Sequence, residues 1–169
     1  MTVTDLGVLP REQFVAALGF IFEDSPWVAD RAWTHRPFDS VQKLHAAMTG
    51  EVEHATRGEQ LALLRAHPDL GERARMSDAS VGEQAGAGLD RLTADEHEKL
   101  RSWNEAYRRK FGFPFLFAVK GATKRDILIS LEQRLHATAD QEFQYALQQV
   151  YRIAWFRLEA LVQPEKGGS

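Results

Sequence analysis

The six prolines of this chain constrain its fold more than any other feature. Pro10, Pro26, Pro37, Pro68, Pro114 and Pro164 all fall between stretches of helical period and none falls inside one. Proline lacks a backbone N–H and its ring clashes with the preceding turn, so each bounds a helix. Arg11 to Glu23 carries Phe14, Val15, Leu18, Ile21 and Phe22, a stripe of period 3.6. Pro26-Trp27 to Trp33 reads as a short helix with proline at its first position. Asp39 or Ser40 is placed to cap the next, with Val41, Leu44 and Met48 inward. Glu53 to Ala66 follows, then a helix from Ser80 to about Leu89. Thr93-Ala94-Asp95-Glu96 is a capping box that opens a long helix to about Lys110. Lys124 to His136 and Asp140 to Val162 complete the set. Few stretches alternate with period two. The expected fold is all-α, a single compact domain over residues 1–169 with seven or eight helices. Its core would span about 11–163, with a polar tail at 164–169.

Two stretches do not fit the helical period. Asp69 to Ala79 is polar and reads as a loop. Phe111 to Gly121 (Phe-Gly-Phe-Pro-Phe-Leu-Phe-Ala-Val-Lys-Gly) is strongly apolar and aperiodic. We expect this Phe-Gly-Phe-Pro-Phe run to cross the core as an extended segment. Its backbone groups then lack helical partners and need others. A polar heterocycle could supply them, making the segment a pocket wall, although plain core is the commoner outcome.

Composition excludes whole classes of chemistry. The absence of cysteine removes disulfides and thiolate sites. Lys and Arg number 21 against 24 Asp and Glu and are spread along the chain, which gives no nucleic-acid footprint. No apolar run approaches the roughly 20 residues of a membrane span, and Met1 to Pro10 does not read as a signal peptide. A cytoplasmic location is the expectation. None of the six histidines pairs with another at the i, i+4 spacing of a helical zinc site, and neither a phosphate loop nor a nucleophile elbow occurs.

Four features remain as candidates for function. His67 stands directly before Pro68, which pushes it out of the α region and ends its helix there. The negative end of the helix dipole favours a protonated imidazole, a station for a proton donor or only for a helix-ending histidine. Ser80-x-x-Glu83-Gln84 is a capping box, but Gly82 and Gly86 on one face suggest a close approach by another helix or by a ligand at the helix N-terminus. The aromatic run is the third. Arg157, set among Ile153, Ala154, Trp155, Phe156, Leu158 and Leu161, needs a carboxylate from the protein or a substrate unless it snorkels to the surface.

Together these motifs resemble a known family. His67-Pro68-Asp69-Leu70, the Ser80 to Leu89 stretch and Phe111-Gly112-Phe113-Pro114-Phe115 are similar to the motifs of the OHCU decarboxylases, which act on 2-oxo-4-hydroxy-4-carboxy-5-ureidoimidazoline in urate breakdown. Ser25-Pro26-Trp27, Arg36-Pro37-Phe38, Asn104-x-x-Tyr107 and Arg157-Leu158 support the likeness, which runs from about Leu18 to Val162 in unchanged order. The resemblance implies an all-α, homodimeric, cofactor-free and metal-free enzyme that makes S-allantoin and carbon dioxide. It implies His67 and Glu83 as catalytic residues. It implies a substrate site of Pro68, Ser80, Val81, Gly82, Glu83, Gln84, Phe115, Leu116, Phe117, Ala118, Val119 and Arg157. Asp69 and Leu70 would be structural. The loop before Ser80 departs from the pattern: it is shorter than in many members and begins Gly71-Glu72. A helical binding domain of the same fold without turnover, and a decarboxylase of a related ureido or imidazole acid, are the alternatives.

Overall fold

A computed structural model of the chain describes residues 1–71 and 78–166, with only the backbone of Asp78 and Ser80. The loop expected between Leu70 and Ser80 lies mostly outside the described residues, as does the end of the polar tail. The described residues form nine α-helices and one 3₁₀ turn, with no strand. Contacts divide the chain into two compact units, Met1–Leu63 with Tyr151–Ser169, and Leu64–Val150.

The first unit holds α1 (Val3–Gly7), α2 (Arg11–Leu18), α3 (Trp27–Ala32), the 3₁₀ turn Trp33–His35 and α4 (Val41–Glu53). Helix α1 adds to the helices expected from the sequence. It is short, but Thr2 and Asp5 close a capping box around its first turn. Helix α2 ends at Leu18, five residues before the expected Glu23. Ile21 and Phe22 stay buried, carried by turns in which the Ile21 N–H meets the Leu18 carbonyl at 3.1 Å and Ser25 meets Phe22 at 3.1 Å. The apolar spacing is therefore met by single turns. Ser40, of the two candidate caps, accepts from the Lys43 N–H at 3.1 Å. Leu44, Met48 and Val52 form the buried stripe of α4.

Helix α5 (Arg57–Arg65) begins four residues later than expected, because α4 takes Glu53 as its last residue. Thr56 and Glu59 bond each other's backbone N–H at 3.1 Å both ways, a capping box that fixes the start of α5.

In the second unit lie α6 (Asp78–Gly86), α7 (Ala94–Phe111), α8 (Lys124–Arg134) and most of α9 (Ala139–Leu161). Capping boxes at Thr93–Glu96 and Thr123–Asp126 open α7 and α8. Helix α7 closes on Gly112, whose φ of 83° is the left-handed cap that glycine adopts without strain. Phe111 thus belongs to the helix, and the aperiodic run begins only after it. Phe113 and Phe115 pack on Tyr107 at centroid distances of 6.0 and 5.3 Å, and Phe143 meets Phe113 at 6.2 Å. The Tyr107 hydroxyl donates to Glu142 at 2.8 Å, and the Arg134 Nε donates to the same oxygen at 2.8 Å. Burial, with Glu142 beside it, pushes the Tyr107 phenol well above its ordinary pKa. The hydroxyl therefore stays a proton donor to Glu142 throughout the neutral range.

Candidate active site

The site is built around the five residues that follow α5. The helix ends at Arg65, and the His67 N–H reaches the Leu64 carbonyl at 3.3 Å in a final turn. His67 is only 5% exposed, and Pro68 is buried beside it. Three side chains from other helices hold the segment that continues from this pair. The Asn104 Nδ2 donates to the Leu70 carbonyl at 3.0 Å, and Arg108 donates to Asp69 at 2.8 Å. The Gly71 N–H donates to the Gln84 Oε1 at 2.8 Å. Asp69 is held in an ion pair and Leu70 is buried, which fits the structural roles expected of them. The Asn104 Oδ1 is buried without a hydrogen-bond partner among the described residues.

The bond from Gly71 to Gln84 joins the histidine segment to α6. Gln84 is buried, Glu83 is half-buried, and Val81 and Gly82 are exposed. One expectation fails here. Helix α6 starts at Asp78, so Ser80 lies inside its first turn and is not the cap. Gln84 is instead tied to the histidine segment by its bond to Gly71. The Ser80 side chain lies outside the described atoms. A second expectation changes as well. A Cβ placed on Gly82 or Gly86 would meet nothing within 4 Å among the described residues, so no described helix presses on that face.

The third candidate is the stretch after Gly112. The Arg65 Nε donates to the Gly112 carbonyl at 2.9 Å, which ties the end of α5, two residues before His67, to the start of this run. Residues 114–119 have neither helix nor strand; Phe115, Leu116, Ala118 and Val119 are buried and Phe117 half so. At the far end Ala118 donates its N–H to the Gln149 Oε1 at 2.8 Å. Hydrogen bonds inside the second unit thus link three of the expected stations: His67-Pro68, Glu83-Gln84 and Phe115 to Val119.

Arg157 belongs to the first unit. It is 6% exposed and does not snorkel. Its guanidinium donates to the Glu23 carboxylate at 2.8 Å and to the Phe20 carbonyl at 2.9 Å. Glu23 is 2% exposed, so the pair is desolvated on both sides. The carboxylate that an inward arginine needs is therefore found on the protein.

Sequence reasoning missed Glu23, Arg65, Arg108, Gln149 and the role of Asn104. Gln149 was within reach: it is a polar residue on the inward stripe of α9, three after Ala146 and one before Val150, the pattern that singled out Arg157. No group of three or more His, Asp or Glu side chains among the described residues is placed to hold a metal ion.

The OHCU decarboxylase family profile covers residues 8–159. A 2-oxo-4-hydroxy-4-carboxy-5-ureidoimidazoline decarboxylase of Halalkalicoccus jeotgali is 48% identical over 99% of this chain and 95% of its own length. A crystal structure of (S)-allantoin synthase superposes with a TM-score of 0.80 at 36% identity, covering 96% of this chain, which spans 54% of that longer one. A structure of OHCU decarboxylase in the presence of (S)-allantoin shares the fold, with a TM-score of 0.70 at 23% identity over 90% of this chain and 98% of that one. With a profile that spans most of its length and a relative matched nearly end to end, the chain belongs to the OHCU decarboxylase family.

Proposed function

We propose that this protein decarboxylates 2-oxo-4-hydroxy-4-carboxy-5-ureidoimidazoline to S-allantoin as one catalytic domain spanning the family match, with His67 as the proton donor. The observation that carries the assignment of roles is the 2.8 Å bond from Gly71 to Gln84, which fastens the buried His67 segment to the helix bearing Glu83.

In the reaction, the bond from the ring carbon to the carboxylate breaks and its electron pair enters the adjoining C=N system. Loss of carbon dioxide leaves an enol; the neighbouring ureido-bearing carbon then takes a proton, and the hydroxyl on the former carboxylate carbon loses its own to become the carbonyl. The ring is its own electron sink, so the protein has three tasks. It aligns the breaking bond with the ring π system, stabilises charge developing on the ring, and protonates one face. An imidazole, with an ordinary pKa near neutrality, suits the last task. Glu83 would bond the substrate near the reacting carbon. The backbone of Phe115 to Val119, with Pro68 and the Ser80 to Gln84 turn, would hold the ureido and ring amides. Arg157 would hold an anionic or carbonyl group. Its charge is already balanced by Glu23, so it would act as a directional donor more than as a net positive charge.

Freshly generated substrate, followed by ultraviolet absorbance and circular dichroism, tests the assignment. The expected result is accelerated decay with optically active allantoin; decay at the spontaneous rate to a racemic product would contradict it. The family reading also proposes a cytoplasmic homodimer. Sedimentation at micromolar concentration should give the dimer mass, and a monomer would contradict that part.

A further inference from the structure

Residues 114–119 run through buried surroundings without helix or strand, so their backbone groups have no ladder to satisfy them. Among the described residues, the backbone from Phe115 to Val119 makes two hydrogen bonds. Ala118 donates to Gln149 at 2.8 Å, and the Val119 carbonyl accepts from Ala122 at 3.0 Å. Phe115 is 0% exposed and Leu116 is buried. Buried amides without partners are rare in native proteins. A polar heterocycle lying along this stretch would pair them.

We infer that Gln149 is a positioning residue for this wall: by taking the Ala118 N–H it fixes the set of backbone groups, from Phe115 to Phe117 and at the Val119 N–H, that are left to the ligand. The inference rests on the proposed reading of Phe115 to Val119 as a substrate surface. Three observations support it. Gln149 is 5% exposed, so its oxygen is not shared with bulk water. It stands on the 23-residue helix α9, a rigid support, whereas the stretch it holds has no regular structure of its own. The other end of that stretch is clamped as well, by Arg65 on the Gly112 carbonyl at 2.9 Å. The run is thus anchored at residues 112 and 118 and contacted by aromatic rings between them. A neutral amide is also the cheaper buried acceptor, since an unpaired carboxylate there would be strongly desolvated. One consequence is specific: the Ala118 N–H is withdrawn from the ligand, and Ala118 contributes at most its carbonyl.

Two variants of the full chain test this, Gln149→Met, of similar length without the acceptor, and Gln149→Glu, which restores an oxygen at the same reach. With freshly formed substrate, Gln149→Met should lower kcat/KM about 10- to 100-fold, the scale of a small misplacement of binding groups, with most of the loss in KM. Gln149→Glu should recover most of that loss. A purely structural role would lower the melting temperature of both variants and leave kcat/KM of the folded protein unchanged. Amide resonances of wild-type Phe115 to Val119, observed during titration with (S)-allantoin, separate the two levels of the argument. Shifts in that stretch together with undiminished kcat/KM in Gln149→Met would overturn the role of Gln149 alone. An unmoved stretch would overturn the wall reading and Gln149 with it. Should Gln149→Met not fold, the wild-type Ala118 amide decides: slow hydrogen exchange supports the bond, and exchange at the rate of an open amide overturns it.

Discussion

The second unit contains two irregular segments that are held in opposite ways. Residues 67–71 have their backbone and acidic group secured by Gln84, Asn104 and Arg108. They carry one ionisable ring, that of His67. In residues 113–119, Phe113 and Phe115 pack on Tyr107, and Phe113 on Phe143, while among the described residues the backbone from Phe115 to Val119 makes two hydrogen bonds. One segment offers a side chain from a fixed backbone; the other offers a backbone from fixed side chains. The proposed function reads this difference as a division of labour, proton delivery on one side and amide recognition on the other. A histidine donor must be aimed but must also exchange protons, whereas a recognition surface needs only fixed dipoles.

Substitutions can break this comparison, and their expected effects fall in a clear order. His67→Ala should lower turnover by about 10²–10⁴, the usual worth of a positioned proton donor, with circular dichroism confirming a folded chain. An undiminished rate would remove His67 from the mechanism. Glu83→Gln should lower turnover by about 10²-fold, the scale of one lost stabilising contact at a reacting centre, with little change in melting temperature. Wild-type kinetics would leave Glu83 without a chemical role. Asn104→Leu strips the Leu70 carbonyl of its donor, and an unpaired buried group costs roughly 1–3 kcal/mol. We expect about a tenfold fall in kcat from the loosened histidine segment and less effect on KM. That is the reverse of the split expected at Gln149, and a loss in KM alone would erase the distinction between the two segments.

The smallest effect is on pH stability. Lys124 and the Thr93 N–H hold the Glu96 carboxyl well below the usual range, at about 2 instead of 4.5. A depressed folded pKa stabilises the protein above the unfolded value and loses that stabilisation as pH falls from 4.5 toward 2. Glu96→Gln should therefore flatten the fall in stability across that window, as read by urea denaturation at several pH values. Because this pair stands at the starts of α7 and α8 and belongs to neither segment, catalysis near neutral pH should be unaffected. A matched loss of activity would contradict that separation.

Local signals explain which features were legible. Thr93 and Glu96 stand three apart, and their box opens α7 where expected. The Thr56–Glu59 box carries the same signal, but it is masked in the sequence by an apolar pattern that runs on across it. Helix α2 stops at Leu18 although the apolar period continues to Phe22, since that spacing marks which residues are buried and not whether a helix carries them. His67 was visible because proline fixes its neighbour's conformation. The supports of its segment were not, because Asn104 meets Leu70 across 34 residues of sequence and Arg108 meets Asp69 across 39. Glu23 and Arg157 lie 134 residues apart, beyond any local pattern. The resemblance named the stations; the side chains that fix them emerged only from the structure.

The central claim is that the His67 segment and the Phe115 to Val119 backbone face one ligand. A crystal structure of the full chain soaked with (S)-allantoin tests it most directly. The account predicts the ligand within hydrogen-bond distance of the His67 ring and bonded to backbone groups of the Phe115 to Val119 stretch other than the Ala118 N–H. Allantoin bound away from His67, or held without any backbone contact in that stretch, would contradict it.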